Sequence, residues 1–393
     1  MLPFFPSPWL RDDHQALAEA AARLFAERWV PQNAAWRAAG RVPREVWREA
    51  GAQGLLCAAI PEAYGGAGGD FGHEAVIALE QAKANISAFG GGLHSAIVAP
   101  YLLHHGTEAQ RQRWLPRMAT GELITAIAMT EPGAGSDLQG VRTVARREGE
   151  EYVLSGSKIF ITNGQNAQGV IVVCKTDPTL GAKGTSLLFV EVEDAQGNLT
   201  PGFSRGRNLD KIGMHGQDTS ELFFDGVRVP LESLIGGVEG QGFFQLMNEL
   251  PQERLLIAVQ AMGGMERGLA EALKYTQERQ AFGKRIWDFQ NTRFQLAEVQ
   301  AQVLAARSFV DQAIAAHLAG QLDAARAALL KSWSTDLQCQ VLDVCLQLHG
   351  GYGYMMEYPI AELWADARVA RIYGGSNEIM KELASRAMGG RAP

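Results

Sequence analysis

An α+β multidomain fold is predicted, with an N-terminal α-helical domain over 1–122, a central β-domain over 123–236 and a C-terminal four-helix bundle over 237–393. Three observations predict it. The N-terminal third carries apolar positions at helical spacing, the stretch from about 123 changes to short β-branched runs, and after Gly242 a helical period returns. Length argues the same way, because 393 residues exceed what one small core organises, and two or three domains are expected.

In the N-terminal part, "RDDHQALAEAAARLFAERWV" (11–30) reads as a helix with Asp12 and Asp13 in its first turn, where carboxylates complement the helix dipole. "GGAGGDFG" (65–72) breaks the chain, a second helix begins at about His73, and a third stretch covers roughly 93–118. Within it, Thr107 can cap and Glu108 can support the start of a helix. "ITAIAMT", "EYVLSGSKIFITN", "GVIVVCKT", "TSLLFVEVE" and "SELFFDGVRVP" are β-branched or aromatic runs punctuated by Gly, Asn and Asp, which is strand grammar. Four long amphipathic helices follow, at roughly 243–277, 288–319, 323–348 and 359–388, enough for a bundle.

Composition narrows the function classes. Apolar residues make up 47% and charged residues 20%, an ordinary globular profile. The formal charge of −7 comes from 43 acidic and 36 basic residues spread along the chain, without the basic stripe that a nucleic-acid surface needs. Cys57, Cys174, Cys339 and Cys345 show no metal-ligand spacing and are expected to be reduced core thiols. "MLPFFPSPWL" has no basic n-region and is interrupted by prolines, so it reads as neither signal nor transit peptide. No apolar run is long enough to span a bilayer, and a cytoplasmic location is the expectation.

Several motifs suggest chemistry, none decisive alone. "AMTEPGAGSDLQG" (128–140) leaves a strand for a Gly-rich loop in which Thr130 and Ser136 offer hydroxyls. It lacks the third glycine of a dinucleotide fingerprint and reads first as a plain turn. "SKIFITNG" (157–164) puts Phe160 and Thr162 on one face of a strand, against a flat heterocycle or in simple core packing. In "ERQAFGKRIWDFQ" (278–290), Arg279 can meet a phosphate and Phe282 can cover a ring; the plain alternative is a helix C-terminus with a favourable cation. "QLHGGYGYMMEYP" (347–359) and "RIYGGSNEIMKE" (371–382) interrupt helical patterns with Gly-Gly, at about 1 kcal/mol per glycine relative to alanine. In the second, Ser376 or Asn377 can cap the resuming helix and leave N–H groups for an anion or carbonyl. Finally, "LPQERLLIA" (250–258) sets Glu253 and Arg254 at the front of an apolar run, where lone charges are rarely buried. They form either an ordinary pair on a helix rim or a base with its neighbour. The two Gly-Gly interruptions beside them favour a site.

Taken in order, "AMTEPGAGSDLQG", "QERQAFGKRI", "CLQLHGGYGYM" and "RIYGGSNEIMKELASR" resemble the acyl-CoA dehydrogenase family, over about residues 10–388. The long-chain branch is the nearest likeness. The resemblance implies FAD between β-domain and bundle, an acyl-CoA substrate and electron-transferring flavoprotein as acceptor. It also implies a homo-oligomer, with a tetramer the expected form, in which a neighbouring subunit lends part of each FAD site. By position, Met129, Thr130 and Ser136 match the segment lining the flavin, and Phe160 and Thr162 the pair meeting its ring. Many members have Trp at the place of Phe160, so an aromatic wall survives without its indole N–H. Arg279, Phe282, Gln290, Gln347, Gly350 and Gly351 match the part reaching FAD across the dimer contact, and Ser376 and Glu378 match positions near its phosphates and adenosine. Substrate contacts carry over to Ser136, Phe244, Arg254, Gly374 and Gly375.

One departure matters. Short- and medium-chain members carry their catalytic glutamate at the position of Gly374, where this chain has no carboxylate. In the long-chain and isovaleryl-type branches the base sits on the first bundle helix in a Glu-Arg-Leu context, which Glu253-Arg254-Leu255 matches. Glu253 is therefore the expected general base, and Gly374 is expected to keep a backbone N–H for the thioester carbonyl. The small residues at 374 and 375 are also expected to leave room for a deep acyl pocket. Rival readings are an isovaleryl-type enzyme, an oxidase that passes electrons to oxygen, and a flavin-free acyl-CoA-binding protein on the same fold.

Overall fold

The computed structural model describes residues 1–389. In the N-terminal part, α1 (Asp12–Leu24) passes through a π-helical turn at Phe25–Trp29, and two short helices, α2 (Asn33–Ala39) and α3 (Arg44–Ala52), follow where the periodicity assigns none. Phe25, Trp29, Trp36, Trp47 and Phe89 pack ring against ring beneath them. The second helix is α4 (Phe71–Lys83), capped by Asp70, whose carboxylate accepts from the Gly72 N–H. The stretch expected as one helix over 93–118 is three pieces. A π-helical turn, Leu93–Val98, leads into α5 (Ala99–His105), and α6 (Glu108–Ala119) restarts after Gly106. Thr107 caps α6 in a reciprocal box with Gln110.

All five strand-like runs form strands, as β1 (Thr125–Ala128), β3 (Glu151–Thr162), β4 (Gly169–Lys175), β5 (Thr185–Glu191) and β7 (Thr219–Pro230). Two more, β2 (Val144–Glu148) and β6 (Phe203–Asn208), complete the sheet. β4 lies parallel to β1 and antiparallel to β5. β2, β3, β7 and β6 run antiparallel in that order, and the two groups join where Val144 pairs with Lys175. Strict alternation does not survive along β3. Its register against β7 slips between Lys158 and Ile161, and Phe160 takes φ 62°, so the expectation of Phe160 and Thr162 on one face of a regular strand is corrected to a bulge.

The bundle is built on α7 (Gly242–Glu278), with α8 (Gln290–Leu318) and α9 (Ala324–Leu348) beside it. Leu255, Val259, Met262, Leu296, Val303, Leu330 and Val341 are among its core residues. α4 of the N-terminal part crosses α7 so closely that a Cβ on Gly263 would meet the Leu79 carbonyl oxygen at 2.8 Å. The fourth helix expected over 359–388 is two, α10 (Pro359–Ala367) and α11 (Asn377–Met388). Gly374 and Gly375 take φ 65° and 89° between them, and the Ser376 hydroxyl caps α11 by accepting from the Ile379 N–H at 3.4 Å. Buried Lys331 on α9 pins this corner, donating to the Gly375 carbonyl at 2.7 Å and to Asn377 Oδ1 at 3.0 Å. The four cysteines are free thiols, and no helix among the described residues is long and apolar enough to cross a membrane.

A buried ion pair braces the β-domain. Lys158 Nζ lies 2.9 Å from Glu131 Oε1, 3.0 Å from the Met129 carbonyl and 2.7 Å from the Val173 carbonyl. Glu131 also accepts from the Arg142 and Thr143 N–H groups, so one carboxylate closes both ends of the Gly-rich loop. Lys158→Met leaves that carboxylate buried without its cation, at a cost of about 3–5 kcal/mol. An earlier urea-unfolding transition of the β-domain is expected, and an unchanged midpoint contradicts it.

Candidate active site

The three parts converge on a cavity of about 160 Å³ between α4, the 85–97 segment, α7 and the end of α10. Phe89 and Leu93 line it from the N-terminal part, Thr162 from β3, Leu256 and Ile257 from α7, and Tyr373 from the Gly-Gly corner. Glu253 stands one helical turn before Ile257 on the same face of α7.

Glu253 is 5% exposed and Arg254 4%, so the rim alternative fails and both are core residues. The Tyr101 hydroxyl on α5 donates to Glu253 Oε1 at 2.7 Å. Burial pushes the Glu253 carboxyl up to about 7; the Tyr101 hydrogen bond and the Arg254 charge oppose the shift, and the Glu249 charge adds to it. Arg254 Nε is buried and has no hydrogen-bond partner among the described residues, and burial lowers the guanidinium's affinity for its proton. One turn earlier, Glu249 accepts from His104 and His105, each at 2.9 Å.

At Gly374, part of the expected room is approached by neighbouring side chains. A Cβ there would meet Ile257 Cδ1 at 2.3 Å, and one at Gly375 would meet Met380 Cε at 2.5 Å. The ends of two flexible side chains lean over the glycines, and nothing else lies within 4 Å of a Cβ at either position. The left-handed backbone at Gly374 also disfavours residues that carry a Cβ.

The remaining sequence-derived positions fall into two groups. In the β-domain, Met129 and Thr130 follow β1 half-buried, Ser136 is exposed in the Gly-rich loop, and Phe160 turns an exposed ring outward from the bulge. Ser376 caps α11, and Glu378 is exposed in its first turn. Far along the bundle, Arg279, Gln347, Gly350 and Gly351 line a second hollow of about 540 Å³. Arg279 lies there 5.3 Å over the Tyr352 ring. Phe282, 94% exposed, tips a hairpin of β8 (Gln280–Ala281) and β9 (Lys284–Arg285), and exposed Gln290 opens α8. Phe244 is not brought to the cavity: it is 61% exposed in the first turn of α7, about half a turn round the helix from Glu253.

Three family models cover the chain, with the acyl-CoA dehydrogenase N-terminal domain matching residues 11–122, the middle domain 126–227 and the C-terminal domain 240–389. The chain belongs to the acyl-CoA dehydrogenase family. The mitochondrial long-chain specific acyl-CoA dehydrogenase of Mus musculus is 48% identical over 95% of this chain and 86% of its own length. A crystal structure of an acyl-CoA dehydrogenase from Geobacillus kaustophilus, 44% identical, superposes with a TM-score of 0.94 over 98% of this chain and all of that one. A glutaryl-CoA dehydrogenase from Mycobacterium smegmatis, solved in complex with FADH2, is 26% identical with a TM-score of 0.88 over 98% of this chain and 96% of that one. Acyl-CoA dehydrogenases are flavoprotein oxidoreductases, and family members bind FAD.

The residues present fit that cofactor. A Cβ on Gly133, Gly135, Gly350 or Gly351 would meet nothing within 4 Å, so these glycines serve no internal packing and leave the backbone open to a ligand. The exposed rings of Phe160 and Phe282 lie outside the core clusters, in keeping with walls for a flat ring system. Sequence reasoning missed Tyr101, Glu131, Lys158 and Lys331, because each acts through a partner remote in the chain. A charged residue inside an apolar strand is the one signal that could have flagged Lys158.

Two expectations follow from this geometry. Gly374→Ala is expected to cost about 1–2 kcal/mol from the left-handed backbone plus the clash with Ile257. Calorimetry should show a lower Tm, partly restored by Ile257→Val; no coupling between the two would sink the packing account. Glu253 has a folded-state pKa of about 7, raised above the ordinary 4.5, so its contribution to stability is full at low pH and is lost as pH rises through 7. Glu253→Gln should therefore match wild type below about pH 4 and exceed its stability by about 3 kcal/mol at pH 8, measured by denaturant titration at both pH values.

Proposed function

We propose that the chain converts a medium- or long-chain acyl-CoA thioester into its trans-2-enoyl-CoA, as in fatty-acid β-oxidation, with Glu253 as the base that removes the α-proton. The observation that carries this is a buried carboxylate raised to about 7, one turn from the cavity, in a chain that has glycine at 374. A base poised near neutral pH takes a weakly acidic proton more readily than a surface glutamate would. The Gly374 N–H is assigned to the thioester carbonyl, where a donor stabilises the charge that gathers as the α-proton leaves. FAD, when bound, supplies the acceptor for the β-hydride. Thr130, Ser136, Phe160 and Thr162 are assigned to holding its ring side, and Ser376 and Glu378 to its phosphate and adenosine side. Ser136, Arg254, Gly374 and Gly375 are assigned to the substrate, with Arg254 ordering the base and nearby backbone.

Arg279 lies 26 residues after Glu253 along one continuous helix, about 39 Å away at 1.5 Å per residue. One dinucleotide in one chain does not reach both. This supports a homo-oligomer, a tetramer by resemblance, in which Arg279, Phe282, Gln290, Gln347, Gly350 and Gly351 serve the FAD of a neighbouring copy. Electron-transferring flavoprotein is the acceptor proposed, and a cytoplasmic location is proposed with it. Chain length rests on the likeness to the long-chain relative. The isovaleryl-type reading shares the helix-borne base and differs in the substrate preferred.

The test is an anaerobic mix of flavoprotein with palmitoyl-CoA, wild type beside Glu253→Gln. Wild type is expected to lose its flavin absorbance, more quickly as pH rises through about 7 because the base must be ionised. The variant is expected to bind ligand and stay yellow. Equal bleaching of both removes Glu253 from its role, and a colourless protein revives the binding-protein reading. Among substrates, kcat/KM should favour palmitoyl-CoA; butyryl-CoA or isovaleryl-CoA as the best substrate rejects the chain-length assignment.

A further inference from the structure

Two helices from different parts of the chain face each other behind the base. Tyr101 and His105 are four residues apart on α5, and Glu249 and Glu253 are four apart on α7, so each pair shares a helix face. They meet antiparallel, Tyr101 with Glu253 at 2.7 Å and His105 Nε2 with Glu249 Oε1 at 2.9 Å. His104 adds a second ring nitrogen to the same Glu249 oxygen at 2.9 Å. These contacts make two rungs one helical turn apart. The Tyr101 side chain is fully buried, and among the described residues its hydroxyl bonds only Glu253. Glu253 Oε2 carries no hydrogen bond among the described residues and is not among the sealed, unpartnered atoms. One carboxylate oxygen is held and the other is left free.

We propose that Tyr101 is a positioning residue for the base, holding Oε1 of Glu253 so that Oε2 is presented to the substrate, with the Glu249–His105 rung keeping α5 in the register this needs. The proposal rests on the assignment of Glu253 as base. Merely satisfying a buried phenol requires no particular carboxylate and no second rung. The rungs also act on the base in opposite senses. Donation from Tyr101 favours the ionised carboxylate, whereas the negative charge of Glu249 disfavours it. The other charged or titratable groups around the pair are Arg254 on α7, Arg111 on α6, which faces His104, Lys331 on α9, which faces Arg254, and His317 on α8, which is bonded to Gln252 and faces Glu249.

The experiment compares Tyr101→Phe, Glu249→Gln and Glu253→Gln holoenzymes with wild type, using palmitoyl-CoA and ferrocenium as acceptor over a pH series, with flavin content and Tm recorded. Tyr101→Phe should lower kcat about tenfold, the loss of one charge-assisted hydrogen bond, while KM stays within about twofold. The acid limb of kcat/KM should move up in pH for Tyr101→Phe and down for Glu249→Gln. A general loss of structure would not shift the two limbs in opposite directions. Limbs that move together or stay in place, or an unchanged kcat in Tyr101→Phe, overturn the proposal. If Tyr101→Phe does not accumulate as flavoprotein, 3-fluorotyrosine at 101, a stronger donor, should move the limb down; an unmoved limb overturns the proposal. Glu253→Gln separates the two readings. Turnover in that variant removes the base assignment and this proposal with it, whereas an inactive Glu253→Gln beside a normal Tyr101→Phe removes this proposal alone.

Discussion

Ionisable groups inside α7 constrain much of the molecule. Glu249, Glu253, Arg254 and Glu266 are all about 5% exposed along this one helix, and an unpartnered charge at such depth costs several kcal/mol. Partners for the three carboxylates come from elsewhere in the chain: Tyr101, His104 and His105 on α5, and Arg307 on α8, which lies 2.8 Å from Glu266. Arg307 in turn bonds Asp311, which also accepts from Ser7 and Trp9, so the N-terminal segment is tied to the same network. The helical N-terminal part is therefore oriented on the bundle by carboxylates as well as by apolar contact.

Glu253 differs in its partners from the other two buried carboxylates on α7, Glu249 and Glu266. Glu249 is held well below the ordinary range, at about 2, because two histidines outweigh its burial. Glu266 has an arginine at bonding distance, which opposes but does not cancel the upward push of burial. Glu253 has a phenol and no cation at salt-bridge distance, so burial dominates and its proton affinity rises. A group kept at that level costs stability at neutral pH. Buried Glu74 on α4 is raised to the same level, so the shift points to chemistry only together with the place of Glu253 one turn from the cavity.

The Gly-Gly corner and the helix-borne carboxylate belong together. With no side chain at 374, Ile257 can fill the space against the corner, and Lys331 fixes the carbonyl of Gly375 from behind. The backbone of the corner is thereby held still, which a peptide N–H needs if it is to polarise a carbonyl. In the β-domain the Lys158–Glu131 pair does the same for the Gly-rich loop, whose Gly133 and Gly135 leave open backbone.

The sequence by itself determined the order of helical and β segments, the five principal strands, the Thr107 cap and the unusual position of Glu253, because each depends on periodicity or on neighbours a few residues away. Its period-two reading failed at Phe160, where a bulge breaks the register, and its helical reading bridged Gly374–Gly375 although the interruption was visible. Two short helices, α2 and α3, and the strands β2 and β6 gave too little pattern to be assigned. It took the assembled fold to bury Glu253, to bring it Tyr101 from 152 residues earlier as partner, and to lean Ile257 over Gly374. Proton affinity, close packing and hydrogen-bond partnership arise between segments distant in the chain, and local pattern carries no record of which segments will meet.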